Sequence, residues 1–328
     1  MEMKNRICVG VDLGGANLKM ASVSEDGAVL KKISVPTEAA KGVDAVLNQI
    51  ADEALELIAT SPGHNSVCCM GVGCPGPLNS NEGIVYHAPN LNWRSIKARD
   101  ILREKIGIPV ALNNDANCAA WGEYFAGAGR GSQTLVVMTL GTGIGGGVII
   151  NGRLFKGACD SAGEIGHMTI DYDSSLPYIV NQGGLEHLAS ATATARFAWM
   201  AIEAGEKTSL ARWEDDIESL TAKDIYDAAN DGDAVAARIM NDVGRYLGIG
   251  VANIINVFNP DRIVFTGGMT ASWDRLHGPM MQEVHRRAFT RSTEAVQIMP
   301  GDLWQDAGLI GAAGLGFIEL DEAAGSRQ

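Results

Sequence analysis

The sequence predicts an α/β protein of two lobes around a ligand cleft. Two observations carry that prediction. The plan strand, glycine-rich turn, strand occurs twice, with turns opening at Gly14 and Gly141, 127 residues apart. After each opening, segments of helical and of strand periodicity alternate. Size agrees: 328 residues make about two domains at roughly 150 residues each. With 46% hydrophobic and 20% charged residues, the chain can bury a core, and global disorder is excluded.

The elements follow in order. RICVGVD (6–12) is a buried apolar strand, LKMASVS (18–24) a second strand beyond Gly14 and Gly15, and VLKKISVP (29–36) a third that stops at Pro36. Residues 42–59 carry apolar positions at helical spacing. SVCCMGVG (66–73) is a strand, and CPGPLNS after it is forced into a loop by its prolines and glycine. SIKARDILREKIG is a helix ended by Gly107, IPVALNN (108–114) a strand, and DANCAAWGEYFAG a helix stopping near Gly127. TLVVMTL (134–140), the turn GTGIGGG (141–147) and VIING (148–152) repeat the opening plan. Helices are expected over 185–205, 221–230 and 232–258, strands at DRIVFTGG (261–268) and AVQIMP, and a small-residue helix at DAGLIGAAGLGFIEL, before a frayed DEAAGSRQ tail. The expected lobes are 1–114, with helix 306–320 packing back on it, and 115–305.

Lys and Arg number 26 against 39 Asp and Glu, a net charge of −13. Such a chain repels phosphate backbones, which argues against nucleic acid as a partner. No apolar run of about 18 residues is present, so no membrane span is expected, and no signal-peptide core precedes the first strand. Cys8, Cys68, Cys69, Cys74, Cys118 and Cys159 form no C-x-x-C pair. They read as reduced thiols of a cytoplasmic protein.

Glycine is enriched, 40 of 328 residues or about 12%, against about 7% in ordinary domains. In GTGIGGG, Gly141, Gly143 and Gly146 satisfy G-x-G-x-x-G, yet a strand follows where a dinucleotide fingerprint needs a helix. That excludes a nicotinamide-dependent oxidoreductase, and no P-loop is present. What remains is a hairpin turn of bare backbone, including Thr142 and Gly145, able to aim N–H groups at a phosphate. In DLGGANLK (12–19), Asp12 either caps the turn or holds Mg²⁺ through water. Lys19 either meets a phosphate or lies at the surface.

In ALNNDAN (111–117), Asn114 or Asp115 caps a helix, or Asp115 is a general base at a strand's carboxyl end. In SAGEIGH (161–167), Glu164 and His167 either share one polar ligand, form a metal pair, or are structural. Glu186 opens a helix and suits its dipole. Asn90, in HAPNLNW (87–93), offers an amide to sugar hydroxyls or shapes the turn, with Trp93 as anchor. Taken together, these features describe a phosphoryl-transfer site for a polyhydroxyl acceptor.

DLGGANLK, GVGCPGPLN, PNLNW, NNDAN, LGTGIGGG, GEIGH and FTGG stand in one order along nearly the whole chain. In these motifs the sequence resembles the ROK family (repressors, open reading frames and sugar kinases), in its sugar-kinase branch near the bacterial glucokinases. The resemblance implies the two-lobed, ribonuclease H-like actin-like ATPase fold and a homodimer. It implies ATP and Mg²⁺ as cofactors and a hexose, glucose first, as substrate. N-acetylmannosamine, N-acetylglucosamine, fructose, mannose and allose are the alternatives within the same chemistry. Polyphosphate as the donor would want a basic channel that so acidic a chain does not advertise.

By that resemblance Asp115 is the catalytic base, and Asn90, Asn114, Glu164, His167 and Glu186 are sugar ligands. Gly14, Gly15 and the Gly141–Gly147 turn are phosphate contacts, Gly267 and Gly268 approach the adenosine, and Asp12 orients Mg²⁺. Two departures stand out. Ala16 replaces the family's usual Thr. The zinc motif C-x-C-G-x-x-G-C-x-E reads PYIVNQGGLE (177–186), with Pro177, Ile179 and Gly184 in place of cysteines. No zinc is expected, since His167 alone cannot make a tetrahedral site. The helix-turn-helix of the family's repressors is not expected either, because the sequence opens directly on a strand. A sugar sensor without turnover is the second class of function.

Overall fold

In a computed structural model, which describes residues 6–174, 176 and 181–325, the opening apolar run becomes β1 (Ile7–Leu13). β2 (Asn17–Ser24), β3 (Val29–Pro36), α1 (Val43–Thr60) and β4 (Val67–Cys74) follow. Three short strands come next, β5 (Leu78–Asn79), β6 (Ile84–Ala88) and β7 (Trp93–Ile96), and then α2 (Ala98–Ile106), β8 (Val110–Asn114) and α3 (Asp115–Phe125). The second half contains β9 (Thr134–Leu140), β10 (Ile144–Ile150), β11 (Arg153–Leu154), α4 (Leu185–Ala189), α5 (Ala191–Glu203), α6 (Ala222–Asn230) and α7 (Ala234–Phe258). The chain ends through β12 (Arg262–Thr266), α8 (Trp273–Arg287), α9 (Thr290–Ala295), β13 (Gln297–Pro300) and α10 (Ala307–Gly325).

Two units divide the chain: 1–132 with 147–163 and 301–328, and 133–146 with 164–300. The boundary therefore does not fall at 114/115. α3 belongs with the first unit because it packs on α10 with glycine against backbone. A Cβ on Gly122 would stand 2.1 Å from the Ala307 carbonyl oxygen, and one on Gly311 would stand 1.7 Å from that of Cys118.

The sheet of the first unit has the order β3-β2-β1-β4-β8, with β1 antiparallel to β2 and parallel to β4. Alternation along β1 sorts its side chains between two faces. Val9, Val11 and Leu13 join Val46, Leu47, Ile50 and Leu57 of α1 in one core. Cys8 joins Leu309, Ile310, Ala313 and Phe317 of α10 in the other. Arg6 pairs with Asp321, so the expected frayed tail is helical through Gly325. Residues 326–328 lie outside the described residues.

The small sheet β5-β6-β7 was not expected. Its strands are two to five residues long and interrupted by Pro89, too short for periodicity to register. Trp93 anchors it, 1% exposed.

The second sheet runs β11-β10-β9-β12-β13, and the division between units falls inside β10. In the second unit β9, β12 and β13 are parallel. α7 is the central helix and buries thirteen residues. It is capped by Asp233, whose carboxylate accepts from the N–H groups of Val235 and Ala236, and is ended by Asn259 at φ 45°. The expected helix 185–205 is broken at Ser190, whose side chain accepts from Ala193 N–H and starts α5 afresh. α8 was not expected, because Gly278-Pro279 reads as a breaker, yet Pro279 lies inside it. Among the described residues no helix is long and apolar enough to cross a membrane.

Candidate active site

In the first unit the parallel strands β1, β4 and β8 bring their carboxyl ends to one sheet edge, the usual ligand side of an α/β sheet. Asp12 lies there, with Lys19 on β2 and Gly73 on β4 as its register partners. The carboxylate is half-buried against the first turn of α10, where a Cβ on Gly308 would stand 3.2 Å from Asp12 Cγ. Burial pushes the Asp12 carboxyl up, and the Lys19 charge opposes this without cancelling it.

The turn after β1 closes by Gly14 N–H to the Asn17 carbonyl at 2.9 Å. Thr37 fastens it, donating its hydroxyl to the Gly14 carbonyl at 2.7 Å and its N–H to that of Ala16 at 2.9 Å. A Cβ on Gly15 would fall 2.8 Å from Asn90 Cβ, so the bare backbone here admits the Asn90 turn.

Asn114 ends β8 and caps α3. Its side-chain oxygen accepts from Ala116 N–H at 2.9 Å and Asn117 N–H at 3.1 Å. That commits the oxygen to the helix and leaves the NH₂ as what Asn114 has to offer a ligand. Asp115 is the first helical residue, and its Oδ1 accepts from Ala116 N–H at 2.8 Å, at the positive end of α3. The charges of Asp115 and Asp12 both reach the buried Cys118 thiol and, with burial as the larger cause, hold it up. The two carboxylates therefore share one electrostatic neighbourhood.

In the second unit the glycine turn is shorter than expected. β10 begins at Ile144, so only Gly141, Thr142 and Gly143 form the turn, while Gly145 and the buried Gly146 are strand residues. The three turn carbonyls are all taken. That of Gly141 accepts from Ala191 N–H at 2.9 Å, that of Thr142 from the Thr192 hydroxyl at 2.8 Å, and that of Gly143 from Gly141 N–H at 3.0 Å. No acceptor among the described residues meets the N–H groups of Thr142 and Gly143. Such a turn is ready for an anion. Gly145 corrects the sequence expectation, because its N–H is committed to Thr139 Oγ1 at 3.0 Å. Gly267, at φ 96°, lies on the end of β9, where a Cβ would stand 2.5 Å from the Leu140 carbonyl oxygen. Gly268 faces open space.

Glu186 holds the same turn: its Oε2 accepts from Ile144 N–H at 2.8 Å. Glu164 and His167 are both exposed, with His167 Nε2 3.9 Å from Glu164 Oε2. Their turn lies on the start of β10, where a Cβ on Gly166 would stand 2.0 Å from the Ile144 carbonyl oxygen and 3.3 Å from Glu186 Cβ. Glu164, His167, Glu186 and the glycine turn are thus one cluster.

These features point to a known family. Its sequence profile, described as the ROK family, matches residues 8–316. The chain belongs to the ROK family. Among ROK relatives, the glucokinase of Halalkalibacterium halodurans is 37% identical over 316 residues, covering 95% of this chain and 96% of that protein. The crystal structure of a ROK glucokinase from Streptomyces griseus, in complex with glucose and AMPPNP, superposes with a TM-score of 0.82 at 30% identity. It covers 95% of this chain and 99% of that one. The xylose repressor of Caldicellulosiruptor bescii is 29% identical over 86% of this chain and 70% of its own length. The ROK sugar kinases have the actin-like ATPase fold, and the α/β fold here is theirs.

The ROK motifs did not reveal Thr37, Thr139, Thr192 or Asn181, which shape the turns from outside them. A hydroxyl or amide at those places carries no spacing signal. Among the described residues no group of three or more His, Cys, Asp and Glu side chains can hold a metal ion. Pro177 and Ile179, at two of the family's cysteine positions, lie outside the described residues.

Proposed function

We propose that this chain is an ATP-dependent sugar kinase that phosphorylates the 6-hydroxyl of glucose. The observation that carries the reading is the likeness, over 95% of the chain, to a glucokinase crystallised with glucose and AMPPNP. The glucokinases at 33–37% identity support it.

Asp115 accepts the proton of the sugar hydroxyl as that oxygen attacks the γ-phosphorus and the bond to ADP breaks. Asn90, the NH₂ of Asn114, Glu164, His167 and Glu186 hold the other hydroxyls, Glu186 through the carboxylate oxygen that Ile144 does not use. The N–H groups of Gly15, Thr142 and Gly143 take phosphate oxygens, while Gly14, whose N–H already bonds the Asn17 carbonyl, and Gly145 and Gly146 only keep the backbone bare. Gly267 and Gly268 border the adenosine. Asp12, a carboxylate at the carboxyl end of β1 beside the bare Gly308, is the group that would hold a hydrated Mg²⁺, and Lys19 balances its charge. When bound, Mg²⁺ supplies neutralisation of the phosphate charge. Positioning and charge then provide most of the rate. A homodimer, a cytoplasmic location and a place in glycolysis belong to the same reading, and sedimentation velocity tests the first.

A sugar sensor is the second reading, favoured by the likeness to a xylose repressor over 86% of the chain. The experiment is ADP release from Mg-ATP across hexoses and N-acetylhexosamines, with Asp115→Asn as the blank. Glucose-dependent turnover that vanishes in the variant supports the kinase. Turnover with another sugar alone replaces the substrate. Glucose binding without turnover establishes the sensor.

A further inference from the structure

The loop between His167 and Glu186 poses a question that the family pattern does not answer. In that pattern a zinc ion joins the histidine to three cysteines. Here the donor set does not fit a zinc: the corresponding side chains are Pro177, Ile179 and Gly184, and none has a ligating atom. Nevertheless the described residues up to Ser174 and from Asn181 onward have a defined geometry. Asn181, which stands between those positions, has its side-chain Nδ2 bonded to the His167 carbonyl. Its Oδ1 accepts from the Thr169 hydroxyl at 3.4 Å, and its own carbonyl accepts from Gly184 N–H at 3.3 Å. Both side-chain contacts agree on one amide orientation, because a carbonyl only accepts and a hydroxyl can donate.

Around Asn181 the chain makes a short antiparallel bridge, Thr169 opposite Gly184. It is extended by Ile170 N–H to the Gly183 carbonyl at 2.8 Å and Leu185 N–H to that of Met168 at 2.9 Å. The bridge has no room for a larger residue at its corner: Gly183 is at φ 67°, and a Cβ there would stand 1.7 Å from the Asp171 carbonyl oxygen. One amide thus ties the turn carrying Glu164 and His167 to the segment that delivers Glu186 two residues past Gly184.

We infer that Asn181 is a positioning residue for sugar binding, an amide clamp that sets His167 against Glu186 in place of a metal. The inference rests on the sugar-kinase reading for its consequence, but not for the clamp itself.

Two measurements separate the two. Hydrogen exchange of the intact protein reads the clamp: in Asn181→Asp, whose carboxylate cannot donate to the His167 carbonyl, and in Asn181→Ala, the Ile170 and Leu185 amides should exchange faster, with α7 unchanged. Steady-state kinetics read its consequence. The KM for glucose should rise roughly 5- to 10-fold, the size of one hydrogen bond, while the KM for ATP and kcat hold. Asn181→Asp is nearly isosteric and keeps the Thr169 contact, so it guards against a folding failure of Asn181→Ala.

Unchanged exchange in both variants overturns the clamp. Faster exchange with an unchanged glucose KM overturns its positioning role. Stoichiometric zinc in the purified protein, with chelation reproducing the glucose KM of the variants, overturns the substitution for a metal. If the wild type turns over no glucose, the kinase reading fails while exchange still decides the clamp.

Discussion

Asp12 and Lys19 face each other as register partners in the β1–β2 ladder, and the carboxylate is pressed against Gly308. An opposite-charge cross-strand pair contributes about 0.2–1 kcal/mol. Here it loses to desolvation, since the net direction of the Asp12 carboxyl is upward. Asp12 therefore carries its charge at a cost to the fold.

That cost has a sign and a pH window. The folded value lies above the ordinary one, so below the ordinary value Asp12 is protonated in both states and no penalty exists. As pH rises through the folded value the penalty grows to its full size. Asp12→Asn should accordingly melt higher than the wild type at pH 8, with the advantage fading toward acid pH. Its kcat should fall by about 10²-fold or more, as when a charge-stabilising group is removed from an active site. A variant that melts lower at pH 8, or that turns over normally, contradicts the assignment.

Asp115→Asn isolates the proton transfer. Asn114, not Asp115, caps α3, so the variant should keep the helix and the protein's stability. Sugar affinity by calorimetry should stay within about threefold, because the hydroxyl ligands are untouched. The kcat should drop by about 10²–10⁴, the usual worth of a general base. Loss of sugar binding together with kcat would instead make Asp115 a sugar ligand.

The sequence carried most of the long elements, because β1, β4, β8, β9 and α7 are apolar runs or helical periods that burial demands. It did not carry β5–β7, which are too short, or α8, where tertiary packing keeps a helix through Pro279. In the site, the glycine positions were legible but their reasons were not. Gly15 is bare toward Asn90, and Gly145 gives its N–H to Thr139. Both depend on partners that fold from elsewhere in the chain.

Gly15→Ala tests that reading of Gly15. The new Cβ would stand 2.8 Å from Asn90 Cβ and 3.3 Å from the Asn90 carbonyl oxygen, so the Asn90 turn must shift. Glucose KM should rise about tenfold or more, by analogy with the 1–3 kcal/mol of overpacking, and ATP KM should move less. Gly268→Ala is the control for bulk alone, since nothing lies within 4 Å of its Cβ. Its melting temperature should match the wild type, and any change should appear in ATP KM. An ATP-only effect of Gly15→Ala would mean that Gly15 is bare for the phosphates alone and not for Asn90.

Glu123 tests what holds the first unit in shape. It is 0% exposed, and its carboxylate accepts three backbone N–H groups. Oε2 takes those of Ala128 at 3.0 Å and Asp302 at 3.2 Å, and Oε1 takes that of Leu303 at 3.1 Å. One side chain thereby fixes the loop after α3 and the loop that leads into α10. Glu123→Ala strands all three donors, each worth about 1–3 kcal/mol when buried and unmet, and should lower stability by about 3 kcal/mol or more. Glu123→Gln keeps one oxygen and should cost less, about 1 kcal/mol. The pH dependence follows from burial, which outweighs the three bonds and raises the Glu123 carboxyl. Wild-type stability from this group is present at low pH and declines as pH rises through the folded value, whereas glutamine does not titrate. The cost of Glu123→Gln, read from denaturant unfolding, should therefore be largest in acid and shrink toward neutral pH. A cost that grows with pH would mean that the three N–H bonds, not burial, dominate the site.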